Sequence, residues 1–217
     1  MLEIKYSPKY HNQIIDSCIT ALKKGKAVVF PTDTSYGLAV DATNPKAIKK
    51  LYKIKGRDFN KPVHVVVSSL GQAKKIVEWN GAASKLAKKF FPGALTLVLG
   101  LRPKGQALSR LSAKTGFLGV RMPKNKIALD LSRLLKNPIT ATSANRSGEP
   151  DCYSADEVLS QFQKSKYKPD IIINAGRLLK RKPSTVVKID NHKISILRQG
   201  PVKLSKVLFA KLGKEHL

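Results

Sequence analysis

Residues 27–56 read AVVFPTDTSYGLAVDATNPKAIKKLYKIKG. The first four are a short apolar run that stops at Pro31, the pattern of a buried strand. Asn44 and Pro45 follow as a helix N-cap and a proline at the first helical position. Gly56 supplies the stop. The spacing predicts a strand, a polar segment over 31–38, and a helix from 45 to Gly56.

The rest of the chain repeats this alternation. Ile14, Ile15, Cys18, Ile19 and Leu22 fall at helical spacing within 10–24. Further helices are predicted over 70–78, 82–91, 126–135 and 155–162, with a basic amphipathic helix over 203–213. Strands are predicted over 63–67, 95–99, 118–121, 138–142, 170–174, 185–189 and 193–197. Alternation of this kind means an α/β sheet with helices packed on it. Several late strands are joined too tightly for helical crossovers, so a mixed sheet is expected. A length of 217 residues with 42% hydrophobic content suits one domain spanning 1–217, with its core over about 10–201.

Charge is the outlying quantity. There are 41 Lys and Arg against 14 Asp and Glu, a net charge of +27. Between Asn80 and Gly148 Asp130 is the single acid. Such a field attracts polyanions, yet the cations are dispersed and form no tail-like block. No apolar window is long enough to cross a bilayer, and the N-terminal residues do not resemble a signal peptide. Cys18 and Cys152 form no CxxC, so a cytoplasmic, reducing setting is expected and a structural zinc site is not. The chain holds no GxxxxGK[ST], GxGxxG, HExxH or GxSxG motif. His11, His64, His192 and His216 are scattered and suggest no metal centre, and His64 reads as a packed or exposed strand residue.

Helical phase sorts the lysines of the 45–56 helix. At about 100° per residue, Ile48, Leu51 and Tyr52 share a face, and position 55 continues it. Lys49, Lys50 and Lys53 point the other way, toward solvent. Two readings of Lys55 stand side by side. It either snorkels outward at the negative end of the helix dipole or aims its ammonium into a cavity. Arg57, just past Gly56, is placed to join it on one anion.

Other segments combine strand ends with polar side chains. In PTDTSYGL (31–38) two hydroxyls, one of them Thr34, flank Asp33, and Gly37 permits close backbone approach. Loops at strand ends are favoured ligand sites in α/β sheets, although a plain Thr/Asp turn explains the same residues. TSANRSG (142–148) places Ser143 and Asn145 after a strand, as ligand groups or as a local turn. Arg121 in LGVRMP and Arg198 in ISILRQGP each close an apolar strand. Arginine there suits bidentate contact with carboxylate or phosphate, or a surface position. Ser184 in KPSTVV opens a strand.

Taken together and in order, PTDTSYGL, KGR with KPV, VRMP, TSANRSGEP, PSTVV and ILRQG resemble the YrdC-like threonylcarbamoyl-AMP synthases. The resemblance spans about residues 10 to 201. It implies a twisted, mostly mixed open sheet with helices on its faces around a large positively charged cavity. It implies an enzyme that joins L-threonine, bicarbonate and ATP into threonylcarbamoyl-AMP and pyrophosphate. The family supplies this product for modification of the adenosine next to the tRNA anticodon, through a downstream threonylcarbamoyl-transferase complex. tRNA is a further implied partner. By motif, Lys55 and Arg57 carry catalysis. Thr34, Arg121, Ser184 and Ser143 contact L-threonine, and Lys55, Arg57, Asn145, Ser143 and Arg198 contact ATP. Mg²⁺ arrives with ATP, with no ligand from protein side chains. The chain departs from the family pattern at Asp58, Lys61 and Phe117. The alternative is an RNA-binding protein of the same fold without synthase activity.

Overall fold

The computed structural model describes residues 1–191 and 193–204. Its helices are α1 (His11–Lys23), α2 (Pro45–Lys55), α3 (Leu70–Ile76), α4 (Gly81–Phe90), α5 (Lys126–Leu135) and α6 (Ala155–Phe162). The strands are β1 (Leu2–Lys5), β2 (Val28–Phe30), β3 (Gly37–Ala39), β4 (His64–Val66) and β5 (Leu95–Gly100). They continue with β6 (Phe117–Arg121), β7 (Ile139–Ser143), β8 (Ile171–Asn174), β9 (Thr185–Asp190) and β10 (Lys193–Arg198). The helix expected over 203–213 lies outside the described residues from 205 onward.

Among the described residues the strands form one 10-stranded sheet, in the order β1-β8-β2-β3-β7-β4-β6-β5-β9-β10. β8 is parallel to both β1 and β2, β4 to β6, and β5 to β9; the remaining neighbours are antiparallel. The sheet is mixed, as the short late connections require. Two strands escape the sequence patterns. β3 is three residues long and begins with glycine inside the polar 31–38 segment. β1 is an exposed edge strand.

Period-two alternation sends neighbouring side chains to opposite faces of the sheet. Val29, Leu38, Val65 and Ile172 join α2, α3, α4 and α6 in one core. Phe30, Ala39, Val66 and Ile173 join α1 and α5 in the other. Along β5 and β6, Leu97, Leu99, Leu118 and Val120 all belong to the first core, and neither strand contributes to the second. The second face of this half of the sheet therefore carries Thr96, Gly119 and Arg121 in place of a helix-packed apolar layer. That is where the cavity lies.

α2 is bounded as its sequence dictates. The Asn44 side chain accepts from the backbone amides of Lys46 and Ala47, Pro45 opens the helix, and Gly56 ends it at φ 57°. A left-handed residue at that point favours glycine. Lys49 and Lys53 are exposed. Lys50 departs from the solvent-facing expectation: its Nζ pairs with Asp170 Oδ2 at 2.5 Å across the β8 end. Lys55 is 3% exposed.

Candidate active site

A partly open cavity of about 290 Å³ is lined by residues from β2, β3, β4, β5, β6, β7 and β10 and the turns beside them. Six of the residues singled out by sequence line it directly: Thr34, Arg57, Arg121, Ser143, Ser184 and Arg198. Lys55 and Asn145 stand directly behind Ser143. Lys55 Nζ donates to the Ser143 carbonyl at 2.7 Å and to Asn145 Oδ1 at 2.6 Å. Ser143 Oγ donates to the same Asn145 oxygen at 2.6 Å. Asn145 Nδ2 in turn donates to the Glu149 carbonyl, which fixes the amide's orientation. Lys55 is buried and does not snorkel outward, yet its ammonium is engaged by Ser143 and Asn145 and Lys55 does not itself line the cavity beside Arg57. Burial, with the charge of Arg57 added, lowers the Lys55 ammonium from 10.5 to about 7.

Arg57 leaves α2 through the Gly56 turn. Its Nη2 donates to the Pro62 carbonyl at 2.9 Å, while its buried Nε has no partner among the described residues. Arg121 is held from two sides: Nη2 pairs with Asp33 Oδ1 at 2.6 Å, and Nη1 donates to Thr34 Oγ1 at 3.2 Å. Arg198 donates from Nε to the Ser184 carbonyl at 2.9 Å and from Nη2 to Ser184 Oγ at 3.1 Å. Ser184 Oγ lies 2.9 Å from Thr96 Oγ1. Three guanidiniums thus face one cavity, and Asp151 is the carboxylate in its lining. Arg121 is buried and paired with Asp33, whereas Arg57 is half-buried and Arg198 exposed, each without a carboxylate partner among the described residues. The three constitute a site prepared for anions.

Sequence reasoning missed His64, Thr96 and Asp151 as cavity residues. Thr96 sits inside an apolar strand, where alternation marks it as facing away from the core. His64 and Asp151 gave no local signal, because each reaches the cavity only through the strand order. The three departures from the family pattern all lie outside the cavity lining. Asp58 Oδ1 accepts the Asn60 amide at 2.8 Å and so shapes the turn after Arg57. The Lys61 carbonyl accepts Tyr52 Oη at 2.9 Å. Phe117 lies under Lys188 Nζ, 3.7 Å from its ring centroid.

The chain matches the Sua5/YciO/YrdC family model, described as telomere recombination, over residues 20–200. The chain belongs to the Sua5/YciO/YrdC family. Its Methanocaldococcus jannaschii relative, provisionally named threonylcarbamoyl-AMP synthase, is 37% identical over 84% of each chain. A Pyrococcus abyssi threonylcarbamoyl-AMP synthase is 37% identical over 86% of this chain, which spans 54% of that relative's length. The solved structure of Pyrococcus abyssi Sua5 complexed with L-threonine superposes with a TM-score of 0.86 at 32% identity. It covers 99% of this chain, and this chain covers 61% of it. The cavity described above is therefore set in a Sua5-type fold. The enzyme names of these relatives do not favour the RNA-binding alternative.

Proposed function

We propose that the protein is an L-threonylcarbamoyladenylate synthase. It joins L-threonine, bicarbonate and ATP, and releases threonylcarbamoyl-AMP and pyrophosphate. A downstream threonylcarbamoyl-transferase complex then uses the product on the adenosine beside the tRNA anticodon, with tRNA its eventual acceptor. The observation that carries this reading is the convergence of Arg57, Arg121 and Arg198 on one hydroxyl-lined cavity.

The reaction brings mutually repelling anions together. The threonine amine becomes an N-carboxylate, which attacks the α-phosphate of ATP, and pyrophosphate leaves. Positioning and fixed positive charge are what such a step requires of the protein. Arg121, oriented by Asp33 and Thr34, suits the amino-acid carboxylate, with Ser184 and Ser143 beside it. Arg57 and Arg198 suit the phosphates. Lys55 and Asn145 shape the wall behind Ser143 and complete the nucleotide side.

Among the described residues no group of three or more His, Cys, Asp or Glu is arranged to hold a metal ion. In this reading Mg²⁺ arrives with ATP, carried by its phosphates and without a ligand from protein side chains. Mg²⁺ when bound supplies charge neutralisation on the phosphoryl oxygens. Among the described residues no helix is long and apolar enough to cross a membrane. Cys18 and Cys152 are free and buried. The reading assigns the protein to the cytoplasm.

Incubation with ATP, Mg²⁺, bicarbonate and L-threonine tests the proposal. Pyrophosphate release that stops when threonine is omitted is the expected result. Release independent of threonine defeats it.

A further inference from the structure

His64 is a titratable cavity residue that the assignments above leave unused. It opens β4, pairs in register with Ala141 of β7, and lines the cavity together with Val66. Its ring is seated against β6. A Cβ built at Gly119 would stand 2.7 Å from His64 Cγ, so the glycine is what makes room for the imidazole. Glycine inside a strand otherwise weakens it and marks a close approach of this kind.

Neither ring nitrogen has a hydrogen-bond partner among the described residues. Burial, followed by the charges of Arg198, Arg57 and Arg121, lowers the imidazole from 6.5 to about 4. These guanidiniums come from β10, the turn after α2, and β6. Asp151 lines the same cavity, Asp33 is engaged by Arg121, and Lys55 lies behind Ser143. At neutral pH the ring is uncharged, a nitrogen base set in a cavity of donors.

We propose that His64 receives the α-ammonium of the amino-acid substrate and accepts its proton, an inference that rests on the synthase reading. An N–H bond of the ammonium breaks and its proton passes to a free imidazole nitrogen. The amine lone pair then attacks the bicarbonate carbon. A C–N bond forms, water leaves, and the N-carboxylate results. Guanidiniums repel an ammonium, whereas a neutral imidazole accepts from it. Asp151 adds attraction, and the imidazole adds basicity.

Burial first, and the surrounding cations second, keep the ring deprotonated in the empty cavity. Seating triphosphate and bicarbonate among the cations offsets the second contribution and moves the ring toward holding a proton. Base strength is thereby switched on by the anions whose reaction needs it.

Two measurements decide the matter. Histidine-selective NMR of the whole protein follows His64 with and without pyrophosphate as probe. The titration midpoint is expected to move upward when pyrophosphate is present; no movement overturns the inference. The second measurement uses His64→Gln. Its kcat/KM for L-threonine is expected to fall about 100-fold or more at pH 7, the scale of a lost general base. The KM for ATP is expected to hold. The loss is expected to shrink as pH rises and the substrate amine sheds its own proton, a recovery that a structural defect does not give. Gly119→Ala, which displaces the ring without removing it, is expected to reproduce the fall. A His64→Gln protein with the wild-type pH profile overturns the inference and leaves the synthase reading intact. A wild-type protein without threonine-dependent pyrophosphate release overturns that reading, and the inference with it.

Discussion

Two places in this molecule gather charge, and they do so differently. Between α1 and α5 the Asp130 side chain, 9% exposed, is surrounded by His11 Nε2 at 2.8 Å, Lys126 Nζ at 2.5 Å and Arg133 Nη2 at 2.7 Å. Tyr6 Oη adds a hydrogen bond to the far side of His11 at 3.1 Å. There the buried acid is fully answered by protein groups. In the cavity, Arg57, Arg121 and Arg198 meet one engaged carboxylate, Asp33, and one without an ion pair among the described residues, Asp151. The first arrangement is complete without a ligand, and the second is not. Charge left unanswered around a cavity, rather than charge itself, is what separates a site from a clamp in a chain of net charge +27.

The comparison breaks most sharply at Arg57. Arg57→Ala is expected to slow threonine-dependent pyrophosphate release by about 10²–10³-fold, the cost of one lost transition-state donor. Its melting temperature is expected to stay near that of the wild type. Normal turnover in this variant would falsify the cavity's assignment. Asp130→Asn is expected to do the reverse, lowering stability by about 1–3 kcal/mol while the folded fraction keeps its turnover. Burial pushes the Asp130 carboxyl up. Hydrogen bonds from Lys126 and His11, with the charge of Arg133, outweigh this and hold it below 3.8. Its stabilisation is therefore present above that pH and lost as acid protonates the folded state. Denaturant melts from pH 6 to pH 2 show this loss in the wild type and not in the variant.

Lys55 has the opposite sign. The unfolded chain binds its proton up to about 10.5, the folded chain only up to about 7. Between these values the unfolded state holds more protons, so stability rises with pH, by at most about 1.4 kcal/mol per unit. Lys55→Met is expected to flatten that rise in urea titrations. The smallest effect is reserved for Lys50, one helical turn away. Its bridge to Asp170 is partly solvated, with side-chain exposures of 35% and 26%. Lys50→Ala is expected to cost less than about 1 kcal/mol and to leave turnover unchanged.

Local chemistry made much of this legible. The Asn44 cap, the Gly56 stop and the 48–51–52–55 stripe are all short-range, and they alone separate Lys55 from Lys49 and Lys53. Lys50 escaped because its partner is 120 residues away. β3 was hidden by its length and its glycine. Ser184 and Arg198 read as separate strand ends, and only the antiparallel β9–β10 pair brings them within 3.1 Å. His64 was the plainest omission: a histidine opening an apolar strand carries no mark of the three arginines that strand order gathers around it.

One backbone contact near Lys55 has a mechanical meaning. The Ser147 amide donates to the Lys55 carbonyl at 2.8 Å, while Lys55 Nζ reaches back to the Ser143 carbonyl at 2.7 Å. The end of α2 and the loop after β7 thus grip each other in both directions. Segments about 90 residues apart in sequence are latched as one jaw. Slow exchange of the Ser147 amide in the free protein is the signature of that latch.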